Sequence, residues 1–105
     1  MPIKISHEEE KLDDKEKGEL DRLSKDYYEK IKREIKKDFL LDIQIKVYDK
    51  GGKKKYSLNV KAENSVVFKS NSYDWNLAKA VHKAFNKIMS EIEHKFHVSN
   101  QNKKL

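Results

Sequence analysis

The sequence predicts an α+β fold in which a four-stranded sheet carries two helices packed on one face, in the order β-α-β-β-β-α. Three observations lead to this prediction. Two long segments place apolar residues every three or four positions, as amphipathic helices do. Between them, shorter segments alternate apolar and polar residues, as half-buried strands do. Each element has a single apolar face, so both helices are expected to cover the same side of the sheet.

The N-terminal part contains the first strand and the first helix. Residues 2–6 alternate and predict a short strand, which should pair in parallel with the second strand because a helix intervenes. The helix is predicted over about residues 13–37, with Asp13 as N-cap and Glu16 completing a capping box. Its apolar stripe consists of Leu20, Leu23, Tyr27, Ile31 and Ile35.

The central part predicts a meander of three antiparallel strands. The strands are predicted at residues 41–48, 56–61 and 66–69. Gly51 and Gly52 supply the positive φ angles that a hairpin turn needs. Residues 70–74 are predicted to be a connection to the last helix, with Ser72 or Asp74 as its cap.

The last helix is predicted over residues 76–96. Its apolar stripe predicts the buried face and consists of Leu77, Val81, Ala84, Phe85, Ile88, Ile92 and Phe96. On a neighbouring face Lys79, Lys83 and Lys87 recur every four residues, and His94 continues that line. A helix that buries one side and exposes lysines on another suits a polyanionic partner.

The length and composition predict one domain, residues 1–97, followed by a disordered polar tail, residues 98–105. The 105 residues include no cysteine, so no disulfide or cysteine-based zinc site is possible. No apolar run approaches the roughly 18 residues that a membrane span needs. We therefore expect a soluble, cytoplasmic protein with no membrane partner.

The charge favours an anionic partner. The chain has 24 lysines and arginines against 18 acidic residues, a net charge of +6. Residues 1–38 carry 11 basic and 12 acidic side chains, and residues 39–105 carry the other 13 and 6. The later two thirds therefore supply the positive charge, which favours nucleic acid first and anionic lipid second.

The last helix, together with the predicted topology, resembles the ribosome hibernation factors, the family that includes hibernation-promoting factor and protein Y. The matching residues are Leu77, Ala80, Ala84 and Lys87, with conservative replacements at Val81, Ile88 and Ile92. In the first helix, Lys30, Ile31 and Arg33 are similar to the family's Lys-Leu-x-Lys. The sequence departs from the family at Asn76, Ala78, His82, Asn86 and Ser90, where the family has aspartate, tyrosine, two further aspartates and arginine.

This resemblance implies a stress-response factor that regulates translation by binding rRNA of the small ribosomal subunit, in the channel used by messenger and transfer RNA. Such a factor acts by occupancy and needs no catalysis. Longer members carry a C-terminal dimerisation domain, so 105 residues imply a short form, which we expect to be a monomer when free. Because Ser90 stands where the family has arginine, the resemblance implies that this chain lacks one phosphate contact of the family.

The predicted RNA-binding residues are basic positions on the two helices. On the first helix Lys30, Arg33 and Lys37 fall at i, i+3 and i+7, and on the last helix the row described above provides the others. If the helices lie side by side, the two rows are expected to form one basic strip. The predicted set is Lys30, Arg33, Lys37, Lys79, Lys83, Lys87 and His94. A simpler interpretation is that these lysines only keep the helices soluble.

Two other functions remain open at this stage. The order α-β-β-β-α is also that of double-stranded-RNA-binding modules, although a real first strand would count against one. The second alternative is a protein-interaction domain, which would bind its partner through the first helix with its mixture of acidic and basic residues.

The open face of the sheet is a rival RNA surface, with Lys46, Tyr48, Lys55, Ser57, Asn59 and Lys61. Base stacking there is disfavoured, because sheet readers use two or three aromatics and only Tyr48 is predicted on this face. Tyr27 and Tyr28 are adjacent, so only one of them is expected to face the core. Trp75 is expected to cover the end of the core.

No pattern indicates an enzyme, a cofactor or a small-molecule substrate. Gly51-Gly52 lacks the following Gly-Lys-Ser/Thr and helix of a phosphate-binding loop. Glu91 and His94 have the Glu-x-x-His spacing of di-iron bundles, but those sites need two such motifs on four helices. His94 and His97 lack a third ligand for a metal.

Overall fold

The computed structural model describes the backbone of residues 2–104 and the side chains of residues 2–95. The order of elements is the predicted β-α-β-β-β-α, with one added turn of 3-10 helix at Glu9–Lys11. The strands are β1 (Ile3–His7), β2 (Leu40–Lys50), β3 (Lys53–Glu63) and β4 (Val67–Asp74), and the helices are α1 (Asp14–Ile35) and α2 (Leu77–Lys104).

The four strands form one mixed sheet in the order β1-β2-β3-β4. β1 pairs in parallel with β2, as predicted, and the other two pairs are antiparallel. The β2–β3 turn is made by Gly51 and Gly52, whose φ angles of +59° and +83° are accessible to glycine at little cost. β1 and β4 are the two edges of the sheet.

Both helices cover the same face of the sheet, which confirms the predicted α+β architecture. α2 lies against β3 and β4, and α1 lies beside α2. The sheet contributes the inward residues Leu41, Ile43, Ile45, Val47, Tyr56, Leu58, Val60 and Ala62 to the core. α2 contributes its predicted stripe, Leu77, Val81, Ala84, Phe85, Ile88 and Ile92, while the side chain of Phe96 lies outside the described residues.

α1 begins with the predicted capping box. The Asp13 side chain accepts a hydrogen bond from the Glu16 N–H at 2.7 Å, and the Asp13 N–H donates to the Glu16 side chain at 3.0 Å. The helix ends at Ile35, two residues before the predicted end. Lys36 adopts a left-handed conformation with φ 55°, and its N–H donates to Lys32 O. This αL cap reverses the chain, so the helix cannot continue through residue 37.

Tyr27 and Tyr28 are both buried, at 6% and 7% exposure, so the expectation that only one would face the core is wrong. Tyr27 stacks on Phe85 of α2, with 4.6 Å between ring centroids. Tyr28 lies on the next flank of α1 and stacks on Phe39, which precedes β2, at 4.4 Å. The α1–β2 connection therefore supplies a second apolar surface.

β4 is longer than predicted, because residues 70–74 continue the strand. Ser70 and Ser72 occupy its inward positions, where they donate to the carbonyl oxygens of Ala84 and Ala80 at 2.7 and 2.6 Å. A strand with serines on its inner face shows no apolar alternation, so its pattern is that of a loop. The predicted caps of α2 are wrong for the same reason, and Asn76 caps the helix instead.

The backbone of α2 continues to Lys104, beyond the end predicted near residue 96. The side chains of residues 96–105 lie outside the described residues. The domain boundary at residue 97 and the disordered polar tail at residues 98–105 therefore stay predictions.

Candidate nucleic-acid interface

The predicted lysine row on α2 begins in the first turn of the helix. Asn76 is the N-cap, and its Oδ1 accepts a hydrogen bond from the Lys79 N–H at 2.9 Å. The Lys79 side chain is exposed, and no ion pair or hydrogen bond engages its ammonium within the described side chains. The first turn contains no acidic residue. Lys79 therefore places a positive charge where the helix dipole is already positive, and where an anion would be held by both.

Lys83 and Lys87 are engaged by the outer edge of the sheet. The Lys83 Nζ lies 2.8 Å from Asp74 Oδ2 and 3.1 Å from the Tyr73 carbonyl oxygen. The Lys87 Nζ donates to the Asn71 carbonyl oxygen at 2.7 Å. The hydrogen bond from Lys83 holds the pKa of Asp74 below its ordinary value. Lysines that cover the carbonyls of an edge strand discourage pairing with a second chain, so these two have a structural use.

The basic residues predicted on α1 do not form one ridge. Lys30 is exposed and holds its Nζ 5.0 Å from the centroid of the Tyr27 ring. Arg33 is exposed one turn later, still on the helix. Lys37 lies beyond the helix end, after the αL residue Lys36, so its predicted place on the helix is wrong. Arg33 and Lys37 have no partner within the described side chains.

α2 separates the two basic groups, so the single strip expected from the sequence is not formed. His82 is on the α1 side of α2, with its Nδ1 2.5 Å from the Tyr27 hydroxyl. Lys83, one residue later, is on the β4 side. Lys79 precedes these residues by three and four positions, which places it on the outer surface between the two flanks. Burial raises the pKa of Tyr27, so its hydroxyl remains protonated beside His82.

His94 lies far along α2 from Lys79. It is exposed and lines a shallow depression with Val66, Val67 and Phe68 at the start of β4. The structure thus leaves three of the predicted lysines and arginines exposed and without an ion pair, a hydrogen bond or a cation–π contact within its described part. These are Lys79, Arg33 and Lys37, and we call them the free cations.

Between the capping box and Lys30, α1 carries three basic and four acidic residues and so has no excess of positive charge. Lys25 lies 3.0 Å from Asp21, and Arg22 lies 3.9 Å from Asp26. Exposed pairs at i, i+4 contribute only about 0.3–0.5 kcal/mol each. They nevertheless leave this part of the helix without a net field that would attract a polyanion.

Three large aromatic residues lie on the open face of the sheet, where the sequence predicts only Tyr48. Tyr48, Tyr73 and Trp75 are 45%, 63% and 55% exposed. Tyr73 lies on the extended part of β4 that was predicted to be a loop, and Trp75 is exposed where it was expected to cover the core. The signal was a two-residue alternation in residues 67–74, visible only if buried serines are accepted as inward residues.

Glu16 joins α1 to the sheet through side-chain contacts with β3. The Tyr56 hydroxyl donates to Glu16 Oε2, and the Lys54 Nζ lies 3.5 Å from its Oε1. Burial raises the pKa of Tyr56, with the hydrogen bond to Glu16 as the second cause. The residues described contain no group of three or more histidine or acidic side chains placed to hold a metal ion. Within the same residues, none of the helices has the length and apolarity to cross a membrane.

Comparison with known proteins finds similarity at the level of fold. No family model matches the sequence, and no curated protein matches it. The chain is similar in structure to the N-terminal domain of protein Y from Thermus thermophilus, with a TM-score of 0.53 and 14% sequence identity. The similarity covers 88% of this chain and 93% of that domain. A TM-score of 0.53 at 14% identity shows that this chain shares the fold of the N-terminal domain of protein Y.

Proposed function

We propose that this protein binds rRNA of the small ribosomal subunit through the free cations of its helical layer and limits translation by occupancy, as a ribosome hibernation factor. The observation that carries the proposal is the fold match to the N-terminal domain of protein Y over nearly the full length of both chains. The resemblance of the last helix to the hibernation family points the same way. The protein would act in the cytoplasm as a monomer, without catalysis or a cofactor.

Lys79 supports this proposal because its position is unfavourable for the helix. A lysine in the first turn opposes the helix dipole, and an exposed lysine in the last turn would keep the protein equally soluble. Lys79 helps to lower the pKa of nearby Asp74, but that carboxylate already has an ion pair with Lys83, so an anionic partner gives a further reason for a cation at that place. Arg33 and Lys37 add two charges that no carboxylate of the described side chains neutralises. Phosphate contacts of this kind position a protein on RNA without reading bases.

The presence of β1 counts against a double-stranded-RNA-binding module, whose order begins with a helix. β1 is paired with β2 over its five residues and belongs to the same sheet. Docking of a protein partner on α1 receives no specific support, because the charges in the middle of the helix, Asp21, Arg22, Lys25 and Asp26, are paired with each other.

The test is co-sedimentation with purified small subunits, using the double variant Arg33→Glu/Lys79→Glu. Lys15→Glu/Lys17→Glu is the matched control, since it makes the same charge change in the first turns of α1. We expect the first variant to lose association and the control to keep it. Lys83 and Lys87 are left unchanged, because reversing them would also disturb the β4 edge. Equal binding by the two variants would refute the proposal.

A wild-type protein that sediments no better with small subunits than an unrelated basic protein would refute the ribosomal target itself. Binding to arbitrary duplex RNA with the same affinity as to small subunits would instead favour a general RNA-binding module. Both controls use the same salt concentrations, because electrostatic binding falls steeply with salt.

A further inference from the structure

One end of the open sheet face carries a cluster of aromatic rings around a lysine, which we call the aromatic platform: Tyr48, Lys55, Tyr73 and Trp75. Tyr48 is directly opposite Lys55 in the β2–β3 register. Tyr73 is opposite the neighbouring Ser57, and Trp75 follows the last residue of β4. The platform faces away from both helices, so it is on the opposite side of the sheet from the free cations.

The three rings of the platform are largely exposed to solvent and are not part of the hydrophobic core. The Lys55 Nζ lies 4.3 Å from the Tyr73 centroid and 5.9 Å from the Trp75 centroid. A single exposed aromatic residue is common on protein surfaces, but three neighbouring ones form an exposed apolar patch, which indicates a binding surface. Tyr48 and Tyr73 are on strands separated by two spacings, about 10 Å, so each can receive its own flat group.

The row of the sheet next to the platform consists of amide side chains. Gln44, Asn59 and Asn71 are opposite one another across the three strands. They line a depression of about 380 Å³ that also contains Asp42 and Lys61. Asp42 Oδ1 is buried and has no hydrogen-bond partner among the described residues. Amide and carboxylate groups of this kind donate to and accept from the edges of nucleobases.

The charge around the platform matches a polyanion. The β2–β3 hairpin carries Lys46, Lys50, Lys53 and Lys55 on or beside the open face, and its acidic residues are Asp42, Asp49 and Glu63. Flat rings beside flexible lysines are how proteins hold single strands, because every base has a face to stack and every nucleotide a phosphate to neutralise. Lys55 lies over Tyr73 in the free protein, and its flexible stem allows it to move to a phosphate when a base arrives.

We infer that the open sheet face binds an unpaired RNA strand, with bases stacked on Tyr73 and Trp75 and a neighbouring base edge held by the amide row. Lys46 and Lys55 contact the phosphates of that strand. This surface is additional to the helical one in the proposed function and does not depend on it. The chain would then engage folded RNA on one side of its sheet and a single strand on the other.

Trp75 is the single tryptophan of the chain, so its fluorescence reports directly on the platform. The experiment titrates the full-length protein with oligouridine of about ten nucleotides, within the usual site size for such surfaces. We expect saturable quenching of Trp75 emission by the single strand. A duplex of the same length should give little quenching, because its bases are not available for stacking.

Tyr73→Ala should weaken the affinity for the oligonucleotide by about 5- to 150-fold, and Tyr73→Phe should keep it near the wild-type value. Tyr73 is 63% exposed, so both variants are expected to fold, which circular dichroism checks. Binding is also followed by the anisotropy of a labelled strand, which does not depend on the tryptophan. Equal affinity of Tyr73→Ala and wild type, or equal quenching by polyglutamate, would overturn the inference.

The variant Arg33→Glu/Lys79→Glu separates this inference from the proposed function. It should keep the quenching by oligouridine while losing association with small subunits. Loss of quenching in that variant, with Tyr73→Ala still binding the strand, would mean that the helical surface binds single strands and the platform does not.

Discussion

Replacing Lys79 by glutamate should make the protein more stable and bind RNA less well. Lys79 is the third residue of α2, and a charge that suits a helix terminus contributes about 0.3–1 kcal/mol. Removing an unfavourable charge and adding a favourable one would sum to about twice that. Two features reduce the gain. The Asn76 N–H already donates to Asp74 Oδ1 at 2.9 Å, so the new glutamate cannot complete a capping box. Lys79 also helps to lower the pKa of Asp74, and a carboxylate in its place would repel that side chain.

We therefore expect the free energy of unfolding of Lys79→Glu to exceed that of wild type by about 0.5–1 kcal/mol. This corresponds to a rise in Tm of about 2–4 °C for a domain of this size. Lys79→Gln should fall between the two. The gain should largely vanish at about 1 M salt, where charges are screened within about 3 Å.

Urea and thermal denaturation at neutral pH should rank stability as Lys79→Glu above Lys79→Gln above wild type. Affinity for small subunits should follow the reverse ranking. Lys83→Glu is the contrasting variant, because it breaks the 2.8 Å ion pair with Asp74 and should lower stability. A Lys79→Glu protein that is less stable than Lys79→Gln at low salt would refute the dipole reasoning. If Lys79→Glu and Lys79→Gln both bind small subunits as tightly as wild type, Lys79 is not part of the interface.

Three further predictions concern stability. Gly18→Ala should raise the free energy of unfolding by about 0.8–1 kcal/mol in urea, because Gly18 is inside α1 and an added Cβ meets no atom within 4 Å; a decrease would contradict the helix there. Phe85→Ala should lower it by about 3–5 kcal/mol, because the side chain is fully buried against Tyr27; a loss below that of Phe85→Leu would contradict the packing. Asp74→Asn should lower Tm at neutral pH. The pKa of Asp74 is depressed from 3.8, so its contribution is complete above that value and disappears as the pH falls. The difference in Tm between the two proteins should therefore shrink as the pH falls through the depressed pKa of Asp74, and a difference that stays the same in acid would contradict the ion pair.

The parts of the fold governed by local patterns could be predicted from the sequence. The stripe of α2 is buried from Leu77 to Ile92, and the capping box of Asp13 and Glu16 is formed. These features depend on residues three or four positions apart in one element. The antiparallel meander and the parallel first strand followed from chain connectivity and the single apolar face of each element.

The parts that failed depend on contacts between elements. Ser70 and Ser72 lie in the core only because α2 presents the carbonyls of Ala84 and Ala80 to them, and no property of residues 67–74 alone reveals this. Tyr28 is buried because Phe39, beyond the end of the helix, turns back over it. Such partners are fixed by tertiary packing, which a reading of one segment cannot supply.

The predicted site was altered by the same limitation. Periodicity grouped Lys79, Lys83 and Lys87 as one row, but it could not show that the carbonyls of β4 would hold two of them. The helix end at Ile35 removed Lys37 from the first row, since an αL conformation at Lys36 has no strong signal in a lysine. The predicted strand ended at residue 69, whereas β4 continues to Asp74. Tyr73 was therefore not assigned to the open face, and the aromatic platform was not predicted.

The dependence of small-subunit affinity on salt tests the central claim most directly, because it measures how many phosphate contacts the protein makes. Each contact contributes about 0.7–0.9 to the slope of log K against log salt. We predict that Arg33→Glu/Lys79→Glu flattens the slope by about 1.4–1.8 relative to wild type, while Lys15→Glu/Lys17→Glu leaves it unchanged. Parallel lines for all three proteins would show that the free cations of the helical layer do not touch the RNA.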